Sequence, residues 1–277
     1  SLSIGANQRT EFQHYLDRYS PMDHFIFPKE GNIEDINALN ESLSDHQVIL
    51  VGIHGLGIRE GRNDFGISPE MVTLLRSLIE QHTVIVSVFG NVYSLGKIQG
   101  LENAAGVIAA YQETPLTQDL TAQMIFGGIG ASGKLPVTIN HAFNRGDGLK
   151  LEGGIRMAYT LPEGVGIASM NLDRIDSMMR TAIKMKAIPG GQVLMAKDGK
   201  VFYHKAFGYH TYDSLQEVKV DDMYDLASIT KISTSLAAFM HLKGEGKFDE
   251  NQTLGHYLKA ARGTNKENLV YRDILTH

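Results

Sequence analysis

Two uninterrupted apolar runs, Gln47-Val-Ile-Leu-Val-Gly-Ile53 and Thr83-Val-Ile-Val-Ser-Val-Phe89, constrain this chain more than any other feature. A strand with one wet face alternates apolar and polar residues. A strand apolar at nearly every position is buried on both faces, as inside a parallel sheet. Between the two runs lies a helix with its start signals in place: Ser68 as N-cap, Pro69 in the first turn, Glu70 near the positive end. Met71, Leu74, Leu75, Leu78 and Ile79 then recur at helical spacing. After Gly90 come an apolar run from Ala104 to Tyr111, a helix opened by Thr114-Pro115 and continuing through Phe126, and Gly133-Lys-Leu-Pro-Val-Thr-Ile139, which reads as a last strand. The alternation predicts an α/β fold, a mainly parallel sheet covered by helices on both faces.

A different texture follows. The predicted organisation is an α/β domain over 1–140, a glycine-rich connector over 141–168 and a second unit over 169–277. In the second unit Leu172, Ile175, Met179, Ala182 and Ile183 share one face of a helix over 171–187. Residues 192–196 and 201–207 read as a hairpin turned by Asp198-Gly199. A further helix over 228–243 would turn Ile232, Leu236, Phe239 and Met240 inward, and Gly244-Glu-Gly246 stops it.

Composition removes several functions. The net charge of −5 leaves no general basic excess for nucleic acid. The absence of cysteine excludes disulfides and thiolate metal sites. No apolar stretch approaches the roughly 20 residues of a membrane span, and Ser1-Leu-Ser-Ile-Gly5 shows no signal-peptide pattern. The eleven histidines form no ligand pattern, so neither metal nor cofactor is expected.

The strongest chemical signal is Tyr224-Asp-Leu-Ala-Ser228-Ile-Thr-Lys231. A serine three residues before a lysine at a helix start shares a face with it, and the amine can hold or take the hydroxyl proton. The spacing alone is cheap. Ser94-Leu-Gly-Lys97 repeats it and reads as a structural coincidence, and a surface serine beside a solvated lysine is the plain alternative for both. The eight-residue context of Ser228 resembles the nucleophile motif of class C β-lactamases and penicillin-binding proteins. So do Ile188-Pro-Gly-Gly-Gln-Val-Leu-Met-Ala-Lys-Asp-Gly-Lys200, Gly244-Glu-Gly-Lys-Phe-Asp249 and Arg272-Asp-Ile-Leu-Thr-His277. The resemblance implies a partial α+β, β-lactamase-like domain with Ser228 as the acylated nucleophile and Lys231 as its proton partner. That family also uses a Tyr-x-Asn element and a Lys-Thr-Gly or His-x-Gly strand, and neither occurs in 1–277. They are expected beyond His277, so that residues 1–277 alone would not turn over substrate and would expose apolar surface.

Residues 45–140 carry a second resemblance. Val84-Ile-Val-Ser-Val-Phe-Gly-Asn-Val-Tyr93, Ala104-Ala-Gly-Val-Ile-Ala-Ala-Tyr-Gln-Glu-Thr-Pro-Leu and Phe126-Gly-Gly-Ile-Gly-Ala-Ser-Gly-Lys-Leu-Pro136 resemble the C-terminal α/β sandwich of glycoside hydrolase family 3. In that family the sandwich packs on a (β/α)₈ barrel, absent here, and some members draw an acid/base glutamate from a sandwich loop. Glu60, in Arg59-Glu-Gly-Arg-Asn-Asp64, stands in a comparable place. Glycoside hydrolysis needs a pair of such groups, so one loop glutamate is insufficient. The two resemblances together imply a bacterial cell-wall hydrolase of the cell envelope or periplasm. It would join β-N-acetylhexosaminidase chemistry to a serine hydrolase and act on carbohydrate or peptidoglycan fragments. A non-catalytic glycan-binding or scaffold module with a degenerate serine site is the alternative.

Two glycine-rich stretches fit nucleotide binding poorly. Gly128-Ile-Gly-Ala-Ser-Gly-Lys134 is followed by Leu135 where a P-loop needs a hydroxyl, and Pro136 opens no helix. In Gly52-Ile-His-Gly-Leu-Gly57 the third glycine of a dinucleotide fingerprint is missing.

Overall fold

A computed structural model describes residues 1–61 and 63–276; Arg62, of the Arg59-Glu-Gly-Arg-Asn-Asp64 stretch, and His277, of the Arg272-Asp-Ile-Leu-Thr-His277 stretch, lie outside the described residues. The chain divides into two compact units, Ser1–Val220 and Asp221–His277.

The first unit opens with β1 (Leu2–Ile4), α1 (Glu11–Leu16), β2 (Phe25–Phe27) and α2 (Ile33–Leu43). There follow β3 (Val48–Ile53), α3 (Pro69–Gln81), β4 (Thr83–Val88), β5 (Gly106–Ala109) and α4 (Pro115–Ile125). Among the described residues the five strands form one parallel sheet in the order β2-β1-β3-β4-β5. The apolar runs at 47–53 and 83–89 are its centre. Ile49, Val51, Ile53, Val84, Val86 and Val88 pack with Leu74, Leu75 and Leu78 of α3 and with Ile36 and Leu43 of α2. The other face carries Phe12 and Leu16 of α1 and Ala122 of α4. Helices therefore cover both faces, as the alternation demands. The caps are those the sequence announces: Ser68 accepts from the Met71 N–H, and Thr114 from the Thr117 N–H.

The stretch Gly133–Ile139 is not a strand of this sheet. Pro136 has no N–H to offer a neighbour, and the segment bonds its own return instead. Leu135 N–H donates to Asp147 O, Gly146 N–H to Leu135 O, and Ile139 N–H to Phe143 O. Leu135, Val137, Ile139 and Phe143 still cover the edge of the core.

The same unit holds β6 (Ala158–Tyr159), α5 (Asp173–Lys184), β7 (Gly190–Lys197) and β8 (Lys200–Gly208), with a three-stranded sheet in the order β6-β8-β7. Asp198 and Gly199 turn the hairpin with φ of +52° and +73°, the two positive values of a type I′ turn. The half-buried face of α5 carries Leu172, Ile175, Met179, Ala182 and Ile183, as its spacing predicts. Asp176 ties α5 to β8, accepting from the Tyr203 hydroxyl and from Lys205 Nζ at 2.9 Å. First the tyrosine and then the ammonium hold the Asp176 carboxyl below the usual range.

The second unit contains a π-helical stretch (Lys231–Leu236) running into α6 (Ala237–Gly244), then α7 (Leu254–Tyr257) and α8 (Tyr271–Thr276). Its core is aromatic: Phe239, Phe248, Tyr257 and Tyr271 meet with ring centroids 4.7–5.8 Å apart. Of the four residues expected inward on the 228–243 helix, Phe239 joins this cluster, whereas Ile232, Leu236 and Met240 are exposed. The π turn advances the chain by more residues per turn than an α-helix. The apolar positions, spaced for 3.6 residues, therefore do not line up on one face.

Candidate active site

Ser228 and Lys231 sit where the second unit first becomes helical. Ile229 N–H donates to Leu226 O, Thr230 N–H to Ala227 O and Lys231 N–H to Ser228 O, at 2.9, 3.1 and 3.1 Å. These are successive i→i+3 bonds, and a three-residue turn brings side chains i and i+3 into line. Lys231 Nζ accordingly donates to Ser228 Oγ at 2.8 Å. Both residues are exposed. The hydroxyl is open to solvent, with the lysine amine beside it.

The other Ser-x-x-Lys copy lies on a short 3₁₀ helix, Val92–Lys97. Here Ser94 points into the protein: it is fully buried, and its Oγ has no hydrogen-bond partner among the described residues. Lys97 turns the other way, to the carboxylates of Glu60 and Asp64, the latter at 2.9 Å. Hydrogen bonds donated to Glu60 first and Asp64 second raise the Lys97 pKa. Glu60 therefore shares the Lys97 ammonium with Asp64 on an exposed loop.

Sequence reasoning missed one cluster at the carboxyl ends of the parallel strands. In the order β2-β1-β3-β4-β5 the chain reverses direction of winding between β1 and β3, where open α/β sheets hold ligands. This crevice is filled from within. Glu113 accepts from Gly55 N–H at 2.8 Å and contacts His54 Nδ1 at 3.0 Å, while His54 Nε2 faces Ser3 Oγ at 3.4 Å. His54 is buried and stacks on Phe89. Burial alone would raise the Glu113 carboxyl, but the hydrogen bonds of His54 and Gly55 and the charge of His54 outweigh it and hold the pKa low. Gly52 is required by this packing. A Cβ there would lie 2.5 Å from His54 Nε2. No short-range signal could have found the cluster, because His54 and Glu113 are 59 positions apart.

Among the described residues no group of three or more His, Asp or Glu side chains could hold a metal, and no helix is long and apolar enough to cross a membrane.

The Beta-lactamase family model matches residues 175–277. Residues 175–277 are a beta-lactamase-like domain of the serine-hydrolase type. Its span includes α5 from its third residue on, the hairpin and the Ser228–Lys231 pair. Protein flp of Staphylococcus aureus is 32% identical over 85 residues, 31% of this chain and 17% of that protein. The "Putative D-alanyl-D-alanine carboxypeptidase" of Salmonella heidelberg is 31% identical over 131 residues, 42% of this chain and 30% of that protein. The matched lengths are thus under a third of these relatives, and the family match leaves residues 1–174 outside it.

Proposed function

We propose that the beta-lactamase-like domain is an acyl-transfer site with Ser228 as nucleophile and Lys231 as proton partner. The observation that carries this is the 2.8 Å contact between Lys231 Nζ and Ser228 Oγ inside the matched span. Ser228 Oγ attacks the carbonyl carbon of an amide or ester, and its proton passes to Lys231 Nζ in the free-amine form. As the tetrahedral adduct collapses, the bond to the leaving amine or alcohol breaks and that group takes the proton, leaving an ester on Ser228 that water cleaves. The start of a helix favours the negative charge that develops on the way. The name of the Salmonella relative points to D-alanyl-D-alanine bonds as the substrate class, which fits a cell-envelope protein acting on peptidoglycan fragments. A chromogenic β-lactam is the test. One equivalent of colour released in a burst, absent in Ser228→Ala, supports the reading. No burst in the whole protein that carries this domain, with Ser228 intact, removes it.

A second reading concerns residues 45–140. Their resemblance to the family 3 sandwich, together with a parallel sheet covered on both faces, favours a sugar-directed partner function of the β-N-acetylhexosaminidase type, or a non-catalytic glycan-binding module. Release of nitrophenol from nitrophenyl β-N-acetylglucosaminide, equal in the unmutated protein and Ser228→Ala, would support a separate sugar site. Neither release nor calorimetric binding of N-acetylglucosamine oligomers would remove this reading.

A further inference from the structure

The residue before the serine has an unusual backbone. Ala227 has φ of +44°, a left-handed value that an L-residue with a Cβ adopts only when its surroundings impose it. Glycine would take it freely, and no glycine is there. What imposes it is local: Asp225 Oδ1 accepts the Ala227 N–H at 2.7 Å. Ala227 sits inside the first of the three i→i+3 bonds, accepted by Leu226, Ala227 and Ser228, that bring Lys231 over Ser228. The order of cause is therefore Asp225, Ala227, tight turn, serine–lysine contact.

We infer that Asp225 is a positioning residue: by clamping Ala227 in its left-handed conformation it sets the turn that places Ser228 Oγ against Lys231 Nζ. This rests on the acyl-transfer reading above, and it assigns to Asp225 no contact with substrate. The carboxylate acts through its geometry as an acceptor two residues on, in the manner of an Asx-turn. A neutral side chain with the same acceptor atom should then serve almost as well, and a glycine at 227 should partly dispense with the clamp.

The test compares the rate at which a fluorophosphonate labels Ser228 in the whole chain, read by intact mass, in four proteins: unmutated, Asp225→Asn, Asp225→Ala, and Asp225→Ala with Ala227→Gly. The expected order is a rate for Asp225→Asn close to the unmutated one, a loss on the order of a hundredfold in Asp225→Ala, as displacements near 1 Å produce, and partial recovery in the double variant. Far-UV circular dichroism and thermal melting verify that each variant is folded. Recovery by glycine separates a lost position from a lost fold, because Ala227→Gly restores no contact. Labelling of Asp225→Ala at the unmutated rate overturns the positioning role and leaves the serine reading standing. Loss of labelling in Asp225→Asn as deep as in Asp225→Ala also overturns it, since charge rather than geometry would then be at work. An unmutated chain that is never labelled refutes the serine reading itself and the positioning role with it.

Discussion

Ser94-Leu-Gly-Lys97 and Ser228-Ile-Thr-Lys231 share a spacing and nothing else. In the first, the serine faces the core without a hydrogen-bond partner among the described residues, and the lysine is spent on two carboxylates. In the second, serine and lysine bond to each other and stand in the open. The contrast extends to their surroundings. Beside the parallel sheet, the buried His54 is held by Glu113, whose carboxylate also accepts from Gly55 N–H. At residues 225–231 the polar groups are outward and serve one another. Sequence spacing puts two side chains on one face of a turn; which way that face looks, and what else competes for the lysine, decides whether the pair can react.

The comparison breaks most readily at the serines. Ser228→Ala should abolish covalent labelling by a β-lactam, whereas Ser94→Ala should leave it untouched; labelling that survives Ser228→Ala would reverse the assignment. The lysines come next. Lys231→Met should slow labelling by about 10²–10⁴-fold, the usual range for loss of a positioned acid–base group. Lys97→Met should leave the rate alone and free the loop of Glu60 and Asp64, which limited proteolysis would detect.

A third prediction sharpens the structural side. Glu113→Ala removes the partner of a buried histidine and should lower unfolding stability by roughly 1–3 kcal/mol in urea titrations, with no effect on labelling. Because the folded Glu113 pKa is depressed, its contribution is whole above the ordinary carboxyl range. It is lost as pH falls through the folded value, where the unfolded chain binds the extra proton. The stability gap between the unmutated chain and Glu113→Ala should therefore narrow on acidification from pH 7. A gap that widens would contradict the arrangement. The smallest effect belongs to Ser94→Ala. Removing a buried hydroxyl without a partner relieves an unsatisfied group, so its melting temperature should stay level or rise slightly.

The central strands and their helices were legible because each carries redundant signals. Gln47–Ile53 and Thr83–Phe89 are apolar at nearly every position, and Ser68-Pro69 and Thr114-Pro115 cap the helices beside them. Asp198-Gly199 specified its turn by itself, since both residues tolerate positive φ. What escaped depends on tertiary context. β1 and β2 are three residues long, too short for any period to show. Gly133–Ile139 has strand composition, but its hydrogen bonds go to its own return. The π stretch after Ser228 misplaces Ile232 and Met240 relative to a regular helix. At the candidate site, sequence context singled out Ser228 and Lys231, which lie 2.8 Å apart, whereas the Ala227 N–H bond to Asp225 shows only in the backbone.

The most direct measurement of the central claim is a peptide map of the chain after exposure to a β-lactam. One adduct on the peptide that carries Ser228, with the Ser94 peptide unmodified, is the result this account predicts. An adduct on any other residue, or none at all, would contradict it.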